Sequence, residues 1–230
     1  TIDGPAGAGK SSAARGLARR LGFEYLDTGA MFRAVALALV RRGIDPADDP
    51  PLRVALAELR LEMGPGLVLL DGEDVTDRIR TPEVSSMASR IAVLPAVRGE
   101  LAERQRQIAR GRDIVCEGRD QGTAVFPAAE CKFFLVADRV ERARRRQREH
   151  AARGEEQSLD DILQAQDERD RRDAGRDLAP LKQPADAVVV NTTHLGPDEV
   201  LTFLEEKVHQ CRTGSRTCGT SFPPTRPSSG

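Results

Sequence analysis

The chain has 230 residues, 31% of them charged, yet its formal net charge is −1. That length can bury one substantial core with room for small insertions, and the balanced charge gives no global sign of a nucleic-acid or membrane partner. No apolar run approaches the roughly 18 residues of a membrane span, and no signal-peptide pattern is present, so a soluble, cytosolic protein is expected.

Gly4-Pro5-Ala6-Gly7-Ala8-Gly9-Lys10-Ser11 fits the P-loop pattern G-x-x-x-x-G-K-[ST]. Its glycines let successive backbone N–H groups wrap a polyphosphate. Lys10 adds a mobile cation, and the Ser11 hydroxyl is placed to ligate Mg²⁺. Thr1-Ile2-Asp3 reads as a strand end, and Ala14, Leu17, Ala18 and Leu21 recur with helical spacing, so strand, loop and helix follow in the required order. A helix is expected from about Gly9, its positive end facing the phosphates. Only three residues precede Gly4, whereas a strand of about five or six is usual; residues are therefore expected to be missing before Thr1, and a protein starting there is expected to be less stable than one with the strand completed.

Phe23–Asp27 reads as a second strand, and Thr28-Gly29 turns the chain into a mostly buried helix over about Ala30–Arg41. Arg33 sits one turn inside, either near the P-loop or on the solvated surface. Asp45–Leu52, with three Asp and three Pro, predicts a loop, and Leu52–Leu61 a helix. Leu67–Leu70 reads as a strand, Asp71-Gly72 as a tight hairpin turn, and Val75 as the start of a partner strand. The acids Asp71, Glu73, Asp74 and Asp77 miss the EF-hand order and read as a solvated turn. Helices are expected over about Pro82–Val93 and Pro95–Arg110, each with proline near its start, and the stretch from about Asp45 to Val93 looks like an insertion into an α/β core.

Ile114–Glu117 predicts a short buried strand ending in Gly118-Arg119-Asp120, where ligands meet open α/β sheets. Phe133–Val136 and Ala187–Asn191 supply the last core strands, and a helix over about Asp198–His209 buries Val200, Leu201, Leu204 and Val208. Arg139–Arg153 is a helical segment with seven arginines; Glu141 and Glu149 break the charge and aromatics are absent, which weighs against a nucleic-acid surface. Ser158 is the expected N-cap of the next helix, which Pro180 should end; on it Arg169, Asp173 and Arg176 share one face, either as a solvated ladder or as a clamp on phosphate and sugar. Beyond Cys211 a disordered tail (211–230) is expected. The four cysteines, Cys116, Cys131, Cys211 and Cys218, lack CxxC spacing and neighbouring histidines, against a zinc or disulfide framework; Cys116 and Cys131 read as inert core residues.

The chemistry follows from the arginines. No NKxD-type guanine motif is present, nor an apolar run ending in paired acids. A small-molecule kinase must hold a triphosphate and a second anion in line and exclude water, and Arg33, Arg98, Arg119 and the 169–176 face supply that charge.

Four segments resemble bacterial cytidylate kinases of the nucleoside monophosphate kinase family. They are Asp3–Ser12 with Leu26–Arg33; Asp71–Thr76 with Ile79–Val84; Glu117–Pro127; and Glu168–Asp173 through Arg176 to Ala179-Pro180-Leu181. The resemblance spans residues 1 to about 209. It implies an α/β P-loop kinase with a parallel central sheet flanked by helices, all within residues 1–210. It also implies an acceptor-binding subdomain inserted at about 45–93 and a helical lid at about 145–170. It implies transfer of the ATP γ-phosphoryl group to CMP or dCMP with Mg²⁺, by a monomer of pyrimidine metabolism. Carried over, Gly4, Pro5, Ala6, Gly7, Ala8, Gly9, Lys10, Ser11 and Ser12 bind ATP. Thr28, Arg33, Arg119 and Arg176 hold the acceptor phosphate, and Ser89, Arg98 and Asp120 read cytosine. Arg169 and Asp173 serve the ribose and the lid; Lys10, Arg119, Arg169 and Arg176 are the catalytic set, and Ser11 the metal ligand. Phe32, Gln121 and Ala174-Gly175 depart from the family pattern. The rivals are a UMP or AMP kinase, a silent nucleotide-binding regulator, and a nucleic-acid-binding role for the arginine-rich helix.

Overall fold

The computed structural model describes residues 1–152 and 154–213. Five parallel strands form the central sheet: β1 (Ile2–Asp3), β2 (Glu24–Asp27), β6 (Ile114–Glu117), β7 (Phe133–Val136) and β8 (Val188–Asn191), in the order β2-β6-β1-β7-β8. The register pairs Tyr25 with Val115 and Leu26 with Cys116. Side chains alternate across a strand, so Leu26 and Cys116 enter the core on one face and Tyr25 and Val115 the other. The apolar runs read as strands in the sequence are these strands, because a parallel sheet covered on both faces needs apolar side chains on both.

On one face lie α1 (Lys10–Leu21) and α8 (Pro197–Arg212), whose Leu17 and Leu204 are fully buried. On the other lie α2 (Thr28–Arg42) and α5 (Pro95–Ala109). Met31, Val35 and Leu39 of α2 are each 1% exposed, and each such side chain contributes on the order of 2 kcal/mol by leaving water. Helix α2 begins two residues earlier than the sequence predicts, because the Asp27 carboxylate accepts from Ala30 N at 2.8 Å and makes Thr28 the first helical residue.

Between α2 and α5 come α3 (Asp49–Glu58), the antiparallel strands β3 (Leu61–Gly64), β4 (Leu67–Leu70) and β5 (Glu73–Asp74), and α4 (Pro82–Ile91). Three sequence expectations are corrected here. The 45–52 loop is shorter, since α3 already starts at Asp49: prolines in a first helical turn cost no hydrogen bond. Leu61 opens a strand rather than closing a helix, and Pro65-Gly66 is the two-residue turn that pairs Gly64 with Leu67. The partner strand begins at Glu73 rather than Val75, because Asp71 and Gly72 both adopt positive φ and make a two-residue hairpin. The apolar residues of this segment, Leu56, Val68, Leu70, Ile79 and Val84 among them, share one core with α2 and α5.

Helices α6 (Arg139–Ala151) and α7 (Leu159–Ala174) pack together after β7. Ser158 caps α7, its hydroxyl accepting from Asp161 N. Helix α7 ends at Ala174, six residues before Pro180, where Gly175 interrupts it, so Arg176 lies beyond the helix and the three-residue face expected from the spacing is corrected to Arg169 and Asp173 alone. At the other end α8 runs through Cys211 and Arg212, longer than expected; the remainder of the expected tail, with Cys218, lies outside the described residues, as does Arg153. Cys116 is buried, whereas Cys131 is half-buried and precedes β7; burial pushes both thiols up to about 12, which keeps them protonated.

Candidate active site

The site is built at the carboxyl ends of β2, β6 and β1, which are neighbours in the sheet. From β1 the chain enters the phosphate loop. Gly4 takes φ 143°, and a Cβ there would lie 2.1 Å from Leu135 O, so only glycine fits against β7. The loop delivers the chain to α1, whose N-cap is Gly9 and whose first turn has no acidic side chain or side-chain cap. The helix therefore presents unsatisfied N–H groups and the positive end of its dipole to the loop. Lys10 is buried and its Nζ donates to Pro5 O at 2.6 Å, folding the side chain over the loop. Ser11 and Ser12 are exposed on the first turn of α1.

Asp3 holds the opposite wall. Its carboxylate accepts from Gln121 N (2.9 Å) and Gly122 N (2.7 Å), fixing the turn after Asp120. Burial nevertheless raises its carboxyl above the usual range. From β2, Thr28 donates to Glu117 O at 2.6 Å and so ties the start of α2 to the end of β6. Arg33, one turn on, is half-buried rather than solvated and pairs with Asp27 at 3.2 Å. Glu117 is buried and accepts from the Tyr25 hydroxyl at 2.7 Å.

The charged groups interlock. Arg119 Nε donates to Asp173 Oδ2 at 2.9 Å, and Arg176 binds the other oxygen of the same carboxylate. Arg98, on α5, binds Asp120 and donates to Ala92 O at 3.0 Å. Its guanidinium lies 6.0 Å from the centre of the ring of Phe32, one of the departures from the family pattern, and makes a cation–π contact with it. Burial would raise the Asp173 carboxyl, but Arg119, Arg176 and Arg169 together hold it below its ordinary value. Asp120 goes the other way: burial raises it and outweighs the pull of Arg98. Burial, then the charge of Arg119, lowers Arg169 to about 10. Burial, then Arg119, also pushes the Lys10 ammonium well below the usual lysine range, against the pull of Glu117, with Arg169 adding to the push.

The Nε atoms of Arg33, Arg169 and Arg176 are each buried without a hydrogen-bond partner among the described residues. Three buried cationic donors left unsatisfied are costly unless an anion completes them. Among the expected residues, Lys10, Arg98, Arg119, Asp120, Arg169, Asp173 and Arg176 form one charge network, with Thr28 and Arg33 at its rim. Ser89 is half-buried on α4, and among the described residues no hydrogen bond joins it to Arg98 or Asp120. Sequence reading did not single out the supporting acids Asp3, Asp27 and Glu117. Their signal was present, since each is the last residue of a strand on the side where ligands bind.

A family model described as cytidylate kinase matches residues 1–210. The chain belongs to the cytidylate kinase family. It is 47% identical to the cytidylate kinase of Rhodopirellula baltica, with 98% of this chain and 99% of the relative covered. The corresponding enzyme of Solibacter usitatus is 49% identical over 94% of each chain, and that of Geobacter sulfurreducens 47% over 91% of each. Family membership accounts for the fold as well: a parallel sheet flanked by helices, with the phosphate loop after its central strand, is that of a P-loop nucleoside monophosphate kinase. Among the described residues no helix is long and apolar enough to cross a membrane.

Proposed function

We propose that this member of the family transfers the γ-phosphoryl group of ATP to CMP or dCMP, giving ADP and CDP or dCDP. The observation that carries the reading is the pairing of Arg119 and Arg176 on the two oxygens of the buried Asp173, together with the buried Nε atoms of Arg33, Arg169 and Arg176, which have no hydrogen-bond partner among the described residues. A donor triphosphate on the loop and an acceptor phosphate on these arginines supply the missing anions. The attacking group is a phosphate oxygen, ionised at neutral pH, so no general base is required. Positioning and neutralisation of charge carry the catalysis.

In this reading Gly4 to Ser12 hold the ATP phosphates, and Lys10 leaves Pro5 O to follow the transferring group. Thr28, Arg33, Arg119 and Arg176 hold the acceptor phosphate. Arg98 and Asp120 read cytosine: the arginine meets the N3 and O2 acceptors and the aspartate the N4 amino group. UMP would set its O4 acceptor against a carboxylate, which supports CMP over UMP. Ser89 completes that edge from α4, and Arg169 and Asp173 meet the ribose. The 45–93 segment receives the acceptor, and the 145–170 segment closes over both nucleotides to exclude water.

The residues present fit Mg²⁺. Ser11 offers an exposed hydroxyl on the first helical turn, and among the described residues no cluster of three His, Cys, Asp or Glu side chains forms a protein-only cage. Mg²⁺ is commonly held by few protein ligands together with waters and substrate phosphates. Bound there beside Ser11, it would supply neutralisation of β- and γ-phosphate charge. A coupled ADP-release assay across CMP, dCMP, UMP, AMP and GMP tests the acceptor assignment. CMP and dCMP should be turned over far faster than the rest, and an equal or greater rate with UMP or AMP would overturn it.

A further inference from the structure

Only the part of α6 from Arg145 onward falls in the segment given the closing role above, and the arginines of the helix divide by face. Arg139, Arg144, Arg146 and Arg148 are exposed, whereas Arg142 and Arg145 point at the phosphate loop. The Arg142 side chain is 9% exposed. Its Nη1 donates to Ala6 O at 3.0 Å and to Asp170 Oδ2 of α7 at 2.6 Å, and its Nε to Ala137 O at 3.2 Å. A Cβ on Gly7 would lie 3.0 Å from the Arg142 Cβ, so loop and helix are in direct contact. Arg145 works through a neighbour. It donates to Thr192 Oγ1 (3.0 Å) and Thr192 O (2.5 Å), and the buried Thr192 hydroxyl in turn reaches Ala8 O at 3.2 Å.

These contacts set the direction of the loop amides. In a trans peptide the C=O and N–H point to opposite sides, and the described chain has no cis bond. Holding Ala6 O and Ala8 O against α6 and Thr192 therefore turns the N–H groups of Gly7 and Gly9 away from α6 and Thr192. Such preorganised donors bind an anion with little reorganisation. Arg142 is also shared with Asp170, next to Arg169 and one turn before Asp173 on α7.

We propose that Arg142 is a positioning residue, coupling the phosphate loop to α7 through the chain Ala6 O–Arg142–Asp170, so that filling the donor site orders the acceptor-side Arg169 and Asp173. The proposal rests on the loop being the ATP site. The test is amide hydrogen exchange on the full chain, with and without the β,γ-imido analogue of ATP and Mg²⁺, in wild type, Arg142→Ala and Asp170→Ala. In the wild type the analogue should slow exchange both in residues 4–12 and in α7. Asp170→Ala should keep the loop protection and lose the α7 protection. Arg142→Ala should lose the α7 protection and bind the analogue about tenfold more weakly, the order of one lost charge-assisted hydrogen bond. Ligand-induced α7 protection that survives Asp170→Ala overturns the coupling alone. Absence of loop protection in the wild type overturns the donor-site reading and the coupling with it. If Arg142→Ala does not fold, Asp170→Ala, at a partly exposed position on the same link, decides the question.

Discussion

Replacing Asp173 by Asn tests whether Arg119 and Arg176 are held by one shared carboxylate. The Asp173 side chain is 3% exposed and binds Arg119 at 2.9 Å on one oxygen and Arg176 on the other. Asparagine keeps the shape and removes the charge, leaving two guanidinium groups facing each other across a neutral amide. Breaking a buried pair by removing one partner costs about 3–5 kcal/mol. The lower end applies, because Arg119 is 17% exposed and can recover some hydration. For a domain of this size each kcal/mol moves the melting midpoint by about 2–4 °C, so a fall of roughly 6–12 °C is expected in scanning calorimetry at neutral pH. Inorganic phosphate should narrow the deficit, since an anion between Arg119 and Arg176 replaces the lost charge, and should shift the wild type less. A midpoint within 1 °C of wild type, or a deficit indifferent to phosphate, would refute the shared-carboxylate reasoning.

Three further expectations rest on single contacts. Asp120→Asn removes the carboxylate bound by Arg98, and should reduce discrimination between CMP and UMP by about tenfold or more while leaving the KM for ATP within about twofold; unchanged selectivity would place base reading elsewhere. Gly4→Ala puts a methyl group 2.1 Å from Leu135 O and should abolish ATP-analogue binding or stable folding, as read by calorimetry; a variant with wild-type binding and midpoint would show that the loop is not packed on β7. On pH, the Asp173 carboxyl is held below its unfolded value, so its contribution is complete above about 3.9 and lost as pH falls through the lower, folded value. Wild type should therefore lose more stability than Asp173→Asn on acidification below about pH 4, and parallel stability curves would contradict the linkage.

How far the sequence reaches can be seen in particular residues. The apolar runs around Ile114 and Phe133 and the loop from Gly4 to Ser11 are strands and phosphate loop as read, because a sheet covered on both faces and a loop wrapping an anion leave few alternatives. Local chemistry that acts across a boundary was harder to see. Asp27 caps α2 and moves its start to Thr28, and prolines at 50 and 51 open α3 rather than lengthening the loop before it. The spacing of Arg169, Asp173 and Arg176 predicts one helical face, yet the helix stops at Ala174, and Arg176 reaches Asp173 from the turn beyond it. Periodicity identifies which residues share a helix; it does not show where a weak helix former such as Gly175 ends it. The resemblance to the family named Arg98 and Asp120 together, whereas their pairing links α5 to the turn after β6 across 22 residues and is visible only in three dimensions. The contacts of Glu117 and Arg142 are hidden for the same reason: their partners, Tyr25 and Ala6, lie 92 and 136 residues away in the chain.

The central claim is that the phosphate loop and the converging arginines form one transfer site for ATP and a cytidine monophosphate. Incubation with [γ-³²P]ATP, Mg²⁺ and CMP follows the label directly. In the wild type it should move into CDP and not into inorganic phosphate, and Lys10→Ala and Arg119→Ala should each slow that transfer by about a thousandfold while remaining folded. Label released as inorganic phosphate, or carried to CDP at wild-type rate by either variant, would contradict the account.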